Sequence, residues 1–221
     1  MKRTERLAEA TAPDGTVLTL YRHDGAYSIR VGGIELMTTR RHHSEDKLAE
    51  VACRPLQQRK GARVLIGGLG LGFTLRAALA SLGADASVIV AEIVGAVIDW
   101  NSNPDFALSV DALADRRVEI RHEDIVTVLK RSARAFDAII LDVDNGADAL
   151  TTTGNARLYN DVGIHMAVAA LRPNGCLAYW SAGSDRAFEE SLRNAGLSVD
   201  VVRVRAHETS GGFHTLFIGR T

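Results

Sequence analysis

Residues 64–80 read VLIGGLGLGFTLRAALA, an apolar run that passes through a glycine-rich stretch into a helical pattern. This order predicts a β-strand, a tight loop and an α-helix, the arrangement that holds nucleotide-like ligands in open α/β sheets. Gly68, Gly70 and Gly72 form GxGxG, whereas the dinucleotide fingerprint GxGxxG requires a glycine where the chain has Phe73. The phosphate-binding pattern GxxxxGKS/T is absent as well. The loop therefore predicts a nucleotide-like ligand and leaves its identity open.

Strand-like and helix-like segments alternate from residue 62 onward, which is typical of βαβ units and a parallel sheet. Strands are expected within 62–68, 86–92, 117–122, 136–144 and 175–182, and helices within 71–82, 95–101, 125–133, 156–171 and 185–195. Only HETSGG separates the last two strand-like segments, 197–206 and 213–219, so these should pair as an antiparallel hairpin. The sequence thus predicts a doubly wound, mostly parallel, seven-stranded Rossmann-like α/β sheet with a C-terminal antiparallel hairpin.

The segment before this sheet has a different pattern. Residues 13–40 contain the β-like segments TVLTLYRH, AYSIRVG and IELMTT, separated by DG and GG turn signals, which predict two or three antiparallel strands. A helical pattern follows in SEDKLAEVACRPL, with Ser44 as its expected N-cap. We expect an N-terminal β appendage (1–43), a linking helix (44–61) and a ligand-binding domain (62–221). Because short exposed strand edges usually need cover, we also expect a homodimer.

The overall composition is that of a globular enzyme, with 46% hydrophobic and 24% charged residues among 221. The 26 basic and 27 acidic residues give no basic footprint for nucleic acid or an anionic membrane. No apolar run approaches the about 20 residues of a membrane-spanning helix, and MKRTERLAEA lacks the apolar core of a signal peptide. Cys53 and Cys176 have no metal-ligand spacing and predict two buried, reduced thiols. We therefore expect a cytoplasmic protein with no nucleic-acid or membrane partner.

Acidic residues follow successive strands of the predicted sheet. Glu92 ends the strand after the glycine loop, about 20 residues beyond the glycines, where an acid can bind ribose hydroxyls. Asp124 and the backbone N–H of Ile125 follow the next strand and can hydrogen-bond an adenine edge, although Asp124 suits a helix N-cap equally well. Asp142 ends the fourth strand. Because the carboxyl ends of parallel strands face one crevice, these acids, with GxGxG and the terminal hairpin, favour S-adenosylmethionine (AdoMet) over NAD.

These segments resemble the class I AdoMet-dependent methyltransferase superfamily and, within it, the spermidine synthase (aminopropyltransferase) family. ARVLIGGLGLGFTLRAAL resembles the family's glycine motif, VIVAEIVGAVIDW its ribose-acid strand and DRRVEIRHEDIVTVL its adenine-acid segment. FDAIILDVDN resembles the strand that carries its essential Asp, and LRPNGCLAYWSA the strand that follows. The resemblance covers nearly the whole chain and is closer to the short bacterial spermidine-synthase-like proteins than to the polyamine makers.

The resemblance implies a role for each of these residues. The glycine loop would pass under the amino-acid and sulfonium end of the donor, Glu92 would hold the ribose, and Asp124 with Ile125 the adenine. Asp142 would stand where the family's catalytic carboxylate orients and deprotonates an attacking amine. A sulfonium is a good leaving group, so alignment of amine and carbon would supply much of the remaining acceleration. The implied activity is transfer of an aminopropyl or related group from AdoMet or decarboxylated AdoMet to a small-molecule acceptor, an amine.

Several positions depart from the family pattern. Gly70 stands where the aminopropyltransferases place an Asp that meets the donor's amine. DVDNG replaces a DSxDP-like segment, Trp180 or Ser181 replaces a Gln, and RHHSED only partly matches a Tyr-His-Glu-like signature. Loss of the loop acid favours an alternative, a small-molecule AdoMet-dependent methyltransferase, because an Asp there would repel a donor that keeps its carboxylate.

Two further alternatives remain. A metal-dependent O-methyltransferase needs an Asp-Asn pair after the fifth strand, whereas Asp144 and Asn145 follow the fourth, so we expect no metal. A non-catalytic AdoMet-binding protein would keep the fold without an acceptor pocket, since a fold does not imply a function.

Three side chains are candidates for acceptor binding. Asp144 closely follows Asp142 in DVDNG. Trp180 could floor an acceptor pocket with its ring or simply pack in the core. Tyr159 could hydrogen-bond an acceptor amine or hold the helix that follows it. The histidines show no ligand spacing and are interpreted as structural, namely His122, His165 and His214.

Overall fold

The computed structural model of the chain describes residues 3–106, 108–143, 155–207 and 209–221. The strands are β1 (Glu5–Thr11), β2 (Val17–His23), β3 (Ala26–Val31), β4 (Ile34–Thr38), β5 (Arg63–Gly67), β6 (Ser87–Glu92), β7 (Val118–His122), β8 (Phe136–Leu141), β9 (Leu171–Ser181), β10 (Ser198–Arg205) and β11 (Phe213–Arg220). The α-helices are α1 (His43–Cys53), α2 (Phe73–Ser81), α3 (Gly95–Ser102), α4 (Val110–Leu113), α5 (Ile125–Lys130), α6 (Asp161–Ala170) and α7 (Arg186–Asn194). None of the helices in these ranges is long and apolar enough to cross a bilayer.

The main sheet has seven strands in the order β10-β11-β9-β8-β5-β6-β7. Strands β5 to β9 pair in parallel, and β11 runs antiparallel to both β9 and β10. The predicted fold class and the antiparallel hairpin are therefore confirmed. The strand order reverses at β5, and the crevice above such a switch point is where open α/β sheets bind ligands.

Burial on both faces of the sheet explains the continuous apolar strands. Val64 and Ile66 of β5 belong to one hydrophobic cluster, whereas Leu65 between them belongs to the cluster on the opposite face. Side chains alternate across a strand, so a central strand covered by helices on both sides is mostly apolar at all positions. All six residues of β8 are buried, and from Ala138 to Leu141 they alternate between the same two clusters; Asp137 is the one charged residue of this strand.

A second sheet precedes the first and has the order β1-β2-β3-β4, with all neighbours antiparallel. Three of its strands match the predicted segments. The prediction of two or three strands missed β1, whose polar sequence ERLAEAT carries little apolar alternation. Leu18, Leu20 and Ile29 share a hydrophobic cluster with α1 and one face of the main sheet, so the small sheet packs directly on that face.

Two predicted helix starts were wrong. Helix α1 begins at His43 with His42 as its N-cap, and the Ser44 side chain is instead buried in a polar network. Helix α6 begins at Asp161, where Asn160 caps it by accepting the Gly163 N–H at 2.9 Å. A 3-10 turn over Asn155–Leu158 precedes it, so the predicted start at residue 156 falls in a separate element.

Candidate functional site

The glycine loop leaves β5 and turns sharply toward α2. Gly68 and Gly70 have positive φ angles of 89° and 53°. A Cβ on Gly68 would lie 2.5 Å from the backbone oxygen of Asp142, so both the conformation and the space exclude a side chain there. The loop backbone consequently lies directly against the end of β8, which brings Asp142 beside the glycines.

Glu92 fixes this loop from the end of β6. Its side chain is buried, and its two carboxylate oxygens accept the backbone N–H groups of Leu69 at 2.9 Å and Val94 at 2.8 Å. Burial raises the pKa of Glu92, and the hydrogen bonds from these backbone N–H groups oppose that rise. The acid predicted to hold a ribose therefore also braces the loop that would carry the donor.

Asn101 of α3 also hydrogen-bonds to the glycine loop. Its amide nitrogen donates to the backbone oxygens of Gly70 and Val97, each at 2.8 Å, and its oxygen accepts the Ser109 hydroxyl. Asn101 has no exposed surface, so these bonds satisfy a buried amide rather than a solvated one. The loop conformation is set before any ligand arrives.

The first of two neighbouring pockets, the glycine-loop pocket, is a partly open cleft. Its walls come from the glycine loop, the ends of β6 and β8, the start of α5 and the small sheet. They include Gly68, Gly70, Glu92, Val94, Asp124, Ile125, Asp142 and Val143, with Ala12, Leu18, Ile29 and Met37 from the N-terminal part.

The second pocket, the Trp180 pocket, is also partly open and adjoins the first. Its described lining consists of Leu36, Met37, Glu45, Leu69, Gly70, Leu71, Phe73, Asp142 and Trp180. Met37, Gly70 and Asp142 line both pockets. A ligand in one pocket and a ligand in the other would therefore meet beside Asp142.

Asp142 and Glu45 make this junction acidic. Burial raises the pKa of Asp142 to about 6, although the Thr74 hydroxyl donates a hydrogen bond to its carboxylate and opposes the rise. Burial and, secondarily, the negative charge of Asp142 raise the pKa of Glu45 to about 7. Two neighbouring carboxylates that resist simultaneous ionisation favour a bound cation or a shared proton.

A polar network joins Glu45 to the far side of Trp180. Ser44 donates its hydroxyl hydrogen to the Glu45 carboxylate, and its oxygen accepts the Trp180 indole N–H at 3.0 Å. Nδ1 of His214 lies 2.8 Å from the same oxygen, and the His214 ring stands edge-on to Trp180 with 4.6 Å between ring centroids. This network connects α1 with β9 and β11.

Comparison with known proteins gives a structural match and no sequence match. No protein-family model and no curated protein sequence matches the chain. Two solved structures align with 97% of this chain and 72% of their own: a spermidine synthase in complex with the transition state analogue AdoDATO, at TM-score 0.76, and the spermidine synthase from Thermotoga maritima, at TM-score 0.78. The fold is spermidine-synthase-like. Both matches have 18% sequence identity, so they establish the fold alone.

Within this spermidine-synthase-like fold, most of the predicted donor-site residues lie together. Gly68, Gly70, Glu92, Asp124, Ile125 and Asp142 all line the glycine-loop pocket. Gly72 is instead the N-cap of α2, with a φ of 78°. In the part of the chain that the structure describes, no three His, Cys, Asp or Glu side chains cluster as metal ligands would.

Asp124 caps helix α5 and also lines the glycine-loop pocket, so the N-cap interpretation is confirmed and adenine binding stays a prediction. Its Oδ1 accepts the Val126 N–H at 2.9 Å and so caps α5, while Arg157 lies 3.4 Å from its other oxygen. The Ile125 N–H occupies the first helical position, where a backbone donor has no partner inside the helix. An adenine edge would therefore meet a carboxylate that is already held in place and an N–H group directed out of the helix end.

The three acceptor candidates fall in different places. Trp180 lines the Trp180 pocket. Tyr159 packs against Tyr179 and Phe188, and its hydroxyl donates to the Trp180 backbone oxygen at 3.2 Å, which favours the packing interpretation. Asp144 lies outside the described residues, so its role stays a prediction.

The sequence analysis missed two residues that line the pockets, Met37 and Glu45, and two that hydrogen-bond to the site, Thr74 and Asn101. Thr74 has a local signal, because a hydroxyl two residues beyond the glycine loop lies in the first turn of the following helix. Met37 and Glu45 have none, since the packing of the small sheet and α1 against the main sheet brings them in. Glu45 had been noted only as part of RHHSED.

Proposed function

We propose that the protein is a transferase that binds AdoMet or decarboxylated AdoMet in the glycine-loop pocket. It moves an aminopropyl or related group to an amine in the Trp180 pocket. One observation carries this proposal: Asp142 lines both pockets, so a carboxylate lies where donor and acceptor would meet. An ammonium has no lone pair for attack, and Asp142 is the base that takes its proton.

The acidic junction suits this chemistry. Asp142 and Glu45 attract an ammonium, while Leu71, Phe73 and Trp180 provide apolar walls that exclude water. After proton loss, the amine nitrogen forms a bond to the carbon beside the sulfonium, and the electron pair of the broken C–S bond stays on sulfur. One proton is released in each turnover, and the pair of carboxylates receives it.

The donor side is supported by the residues that hold the loop. Glu92 can accept ribose hydroxyls while it keeps its bonds to Leu69 and Val94, because each carboxylate oxygen has more than one lone pair. Asp124 and the Ile125 N–H offer an acceptor and a donor to an adenine edge. We expect the donor to need no metal.

One observation favours methyl transfer as a second candidate. The aminopropyltransferases have an Asp at the loop position of Gly70. Here the loop has only backbone at that position, and Sδ of Met37 lies 3.0 Å from where a Cβ on Gly70 would be. A donor that keeps its carboxylate would meet no opposing charge from this loop position. A small-molecule methyltransferase would then use the same Asp142 as its base.

Calorimetric titration with AdoMet, decarboxylated AdoMet and NAD tests the donor site first. Mass spectrometry then follows group transfer to methylamine, propylamine, putrescine and cadaverine. We expect binding of at least one AdoMet-type donor, none of NAD, and transfer to an amine. The variant Asp142→Asn should keep donor affinity and lose about 100-fold or more in turnover.

The outcomes separate the candidates. Binding and methyl transfer from AdoMet alone would support the methyltransferase, and aminopropyl transfer would support the first proposal. Donor binding with no transfer to any tested small molecule would point to the non-catalytic AdoMet-binding protein. Absence of binding by both donors would contradict the proposal altogether.

A further inference from the structure

The hydroxyl of Ser44 has three partners and only one hydrogen. It can donate once and accept twice. The Trp180 indole N–H can only donate, so it permanently occupies one acceptor position of the Ser44 oxygen at 3.0 Å. Of the two remaining partners, Glu45 and His214, one must receive the Ser44 hydrogen and the other must donate to the Ser44 oxygen.

Because Ser44 can donate only one hydrogen bond, the protonation of Glu45 is coupled to the protonation of Nδ1 of His214. When Glu45 is ionised it accepts the Ser44 hydrogen, and Nδ1 of His214, 2.8 Å from the oxygen, must carry a hydrogen and donate. When Glu45 is protonated it donates to Ser44, which then donates to a bare Nδ1 of His214. Passing a proton from Glu45 into Ser44 therefore drives the Ser44 hydrogen onto His214.

The two ends of this chain lie in different surroundings. Glu45 lines the Trp180 pocket together with Asp142. His214 of β11 is half-buried and stands between the exposed Phe213 and the buried residues that begin at Thr215. Ser44 between them has no exposed surface, so the chain crosses from the pocket to the surface without a gap that water must fill.

We propose that Glu45, Ser44 and His214 form a proton-transfer path that carries the proton released by the amine acceptor from the Trp180 pocket to the protein surface. This proposal rests on the proposed function, which supplies the proton that is carried; the hydrogen-bond pattern itself does not depend on that function. The acceptor ammonium loses one proton to the Asp142–Glu45 pair. Glu45 transfers a proton to Ser44, Ser44 transfers its own to Nδ1 of His214, and His214 releases one from Nε2 to solvent. To reset the path, Ser44 reorients and the His214 ring returns to the tautomer with a bare Nδ1, losing the Nδ1 proton to solvent and taking one up at Nε2.

The charged neighbours of both ends suit this direction. Glu45 faces the carboxylates of Asp142 and Asp46, which favour its protonated form as the proton arrives. Partial burial and, secondarily, the positive charge of Arg41 lower the pKa of His214, so the imidazolium readily gives up its proton. Ser44 and His214 are positioning residues in this scheme, because neither lines the pockets within the described residues.

The first test needs no substrate. Long-range nitrogen–proton NMR of the ¹⁵N-labelled protein reports which ring nitrogen of His214 carries the hydrogen, with His214→Gln to assign the signal. Well above the pKa of Glu45, we expect the Nδ1–H tautomer in the wild type and a loss of that preference in Ser44→Ala. The Nε2–H tautomer in the wild type at that pH would overturn the proposal.

The second test measures turnover with the best amine of the acceptor panel. We expect His214→Ala to lose about 10-fold or more in turnover without loss of donor affinity, and added imidazole to restore it. The matched control is His165→Ala, an exposed histidine of α6 whose Nδ1 contacts the Asp161 backbone oxygen, which should be fully active and insensitive to imidazole. Full activity of His214→Ala would refute the path, whereas a wild type inactive toward every amine would refute the proposed function and leave the tautomer test valid.

Discussion

At the scale of the residue, the acidic junction is a place where function opposes stability. Glu45 and Asp142 lie near each other within the protein, and the pKa of each is raised well above its ordinary value. A carboxyl whose pKa is higher in the folded than in the unfolded state stabilises the fold while protonated. That stabilisation is complete below the unfolded pKa and is lost as the pH rises through the folded pKa.

The pH dependence of stability should therefore change when Glu45 is neutralised. Between about pH 5 and pH 8 the wild type should lose stability relative to Glu45→Gln by on the order of 2 kcal/mol, because ionisation of Glu45 is suppressed in the fold. Urea unfolding at several pH values measures the difference. Glu190→Gln, an exposed partner of Arg186, is the control and should follow the wild type. Parallel curves for all three proteins would show that Glu45 is not perturbed.

Gly68 gives a sharper test of geometry. Gly68→Ala should lower the free energy of unfolding by about 3 kcal/mol and abolish donor binding, because its methyl group meets the Asp142 backbone at 2.5 Å. Gly15→Ala is the matched control: it has a φ of 90° and nothing within 4 Å, so it should cost about 1 kcal/mol and leave binding intact. Equal losses of stability in the two variants would mean that backbone strain at a positive φ, and not the contact with β8, causes the effect at Gly68.

At the scale of the element, strand β4 contributes more than its exposure suggests. Met37 lines both pockets, whereas Ile34 at the start of the same strand is 60% exposed. Met37→Ala should weaken binding of the AdoMet-type donor about 10-fold through lost apolar contact, and Ile34→Ala should leave it unchanged. Calorimetry on both variants checks this. Unchanged affinity in Met37→Ala would show that the small sheet does not form part of the donor site.

The elements also show which parts of the candidate site could be predicted from the sequence. Strand ends and their acids were predictable, because in a parallel sheet the chain order itself brings Glu92, Asp124 and Asp142 to one edge. Glu45 was not predictable in the same way. It reaches Asp142 only because α1 packs over the ends of β8 and β9, and no local pattern encodes which helical turn faces them. Strand β1 was missed because its residues are mostly exposed or half-buried.

At the scale of the whole molecule, the two pockets and a buried ion-pair cluster lie at opposite ends of the parallel strands. The pockets lie at the carboxyl ends of the strands, whereas Asp137 lies at the beginning of β8. Its fully buried carboxylate contacts Arg59 at 2.8 Å and Arg172 at 2.9 Å, and accepts the Arg63 N–H at 2.8 Å. This cluster joins β5, β8 and β9 at the edge opposite to the pockets.

Removal of that carboxylate should affect stability alone. We expect Asp137→Ala to cost about 3 kcal/mol, since two arginines and a backbone N–H lose a buried partner, while donor affinity at low temperature stays the same. Asp200→Ala, which removes an exposed ion pair with Arg220, should cost less than about 1 kcal/mol. Thermal unfolding and calorimetry check both. A matching loss of donor affinity in Asp137→Ala would show that the two edges are coupled.

The position of β11 in the sheet affects the order in which the strands can pair during synthesis. Among the described residues this strand comes last in sequence, yet it lies inside the sheet, between β9 and β10. During synthesis on the ribosome, β10 emerges with no neighbour to pair with and must wait until residues 213–220 have also emerged. The same strand carries His214, so the sheet and the polar network beside Glu45 are completed together. The main sheet and this polar network therefore both depend on the same short segment, residues 213–220.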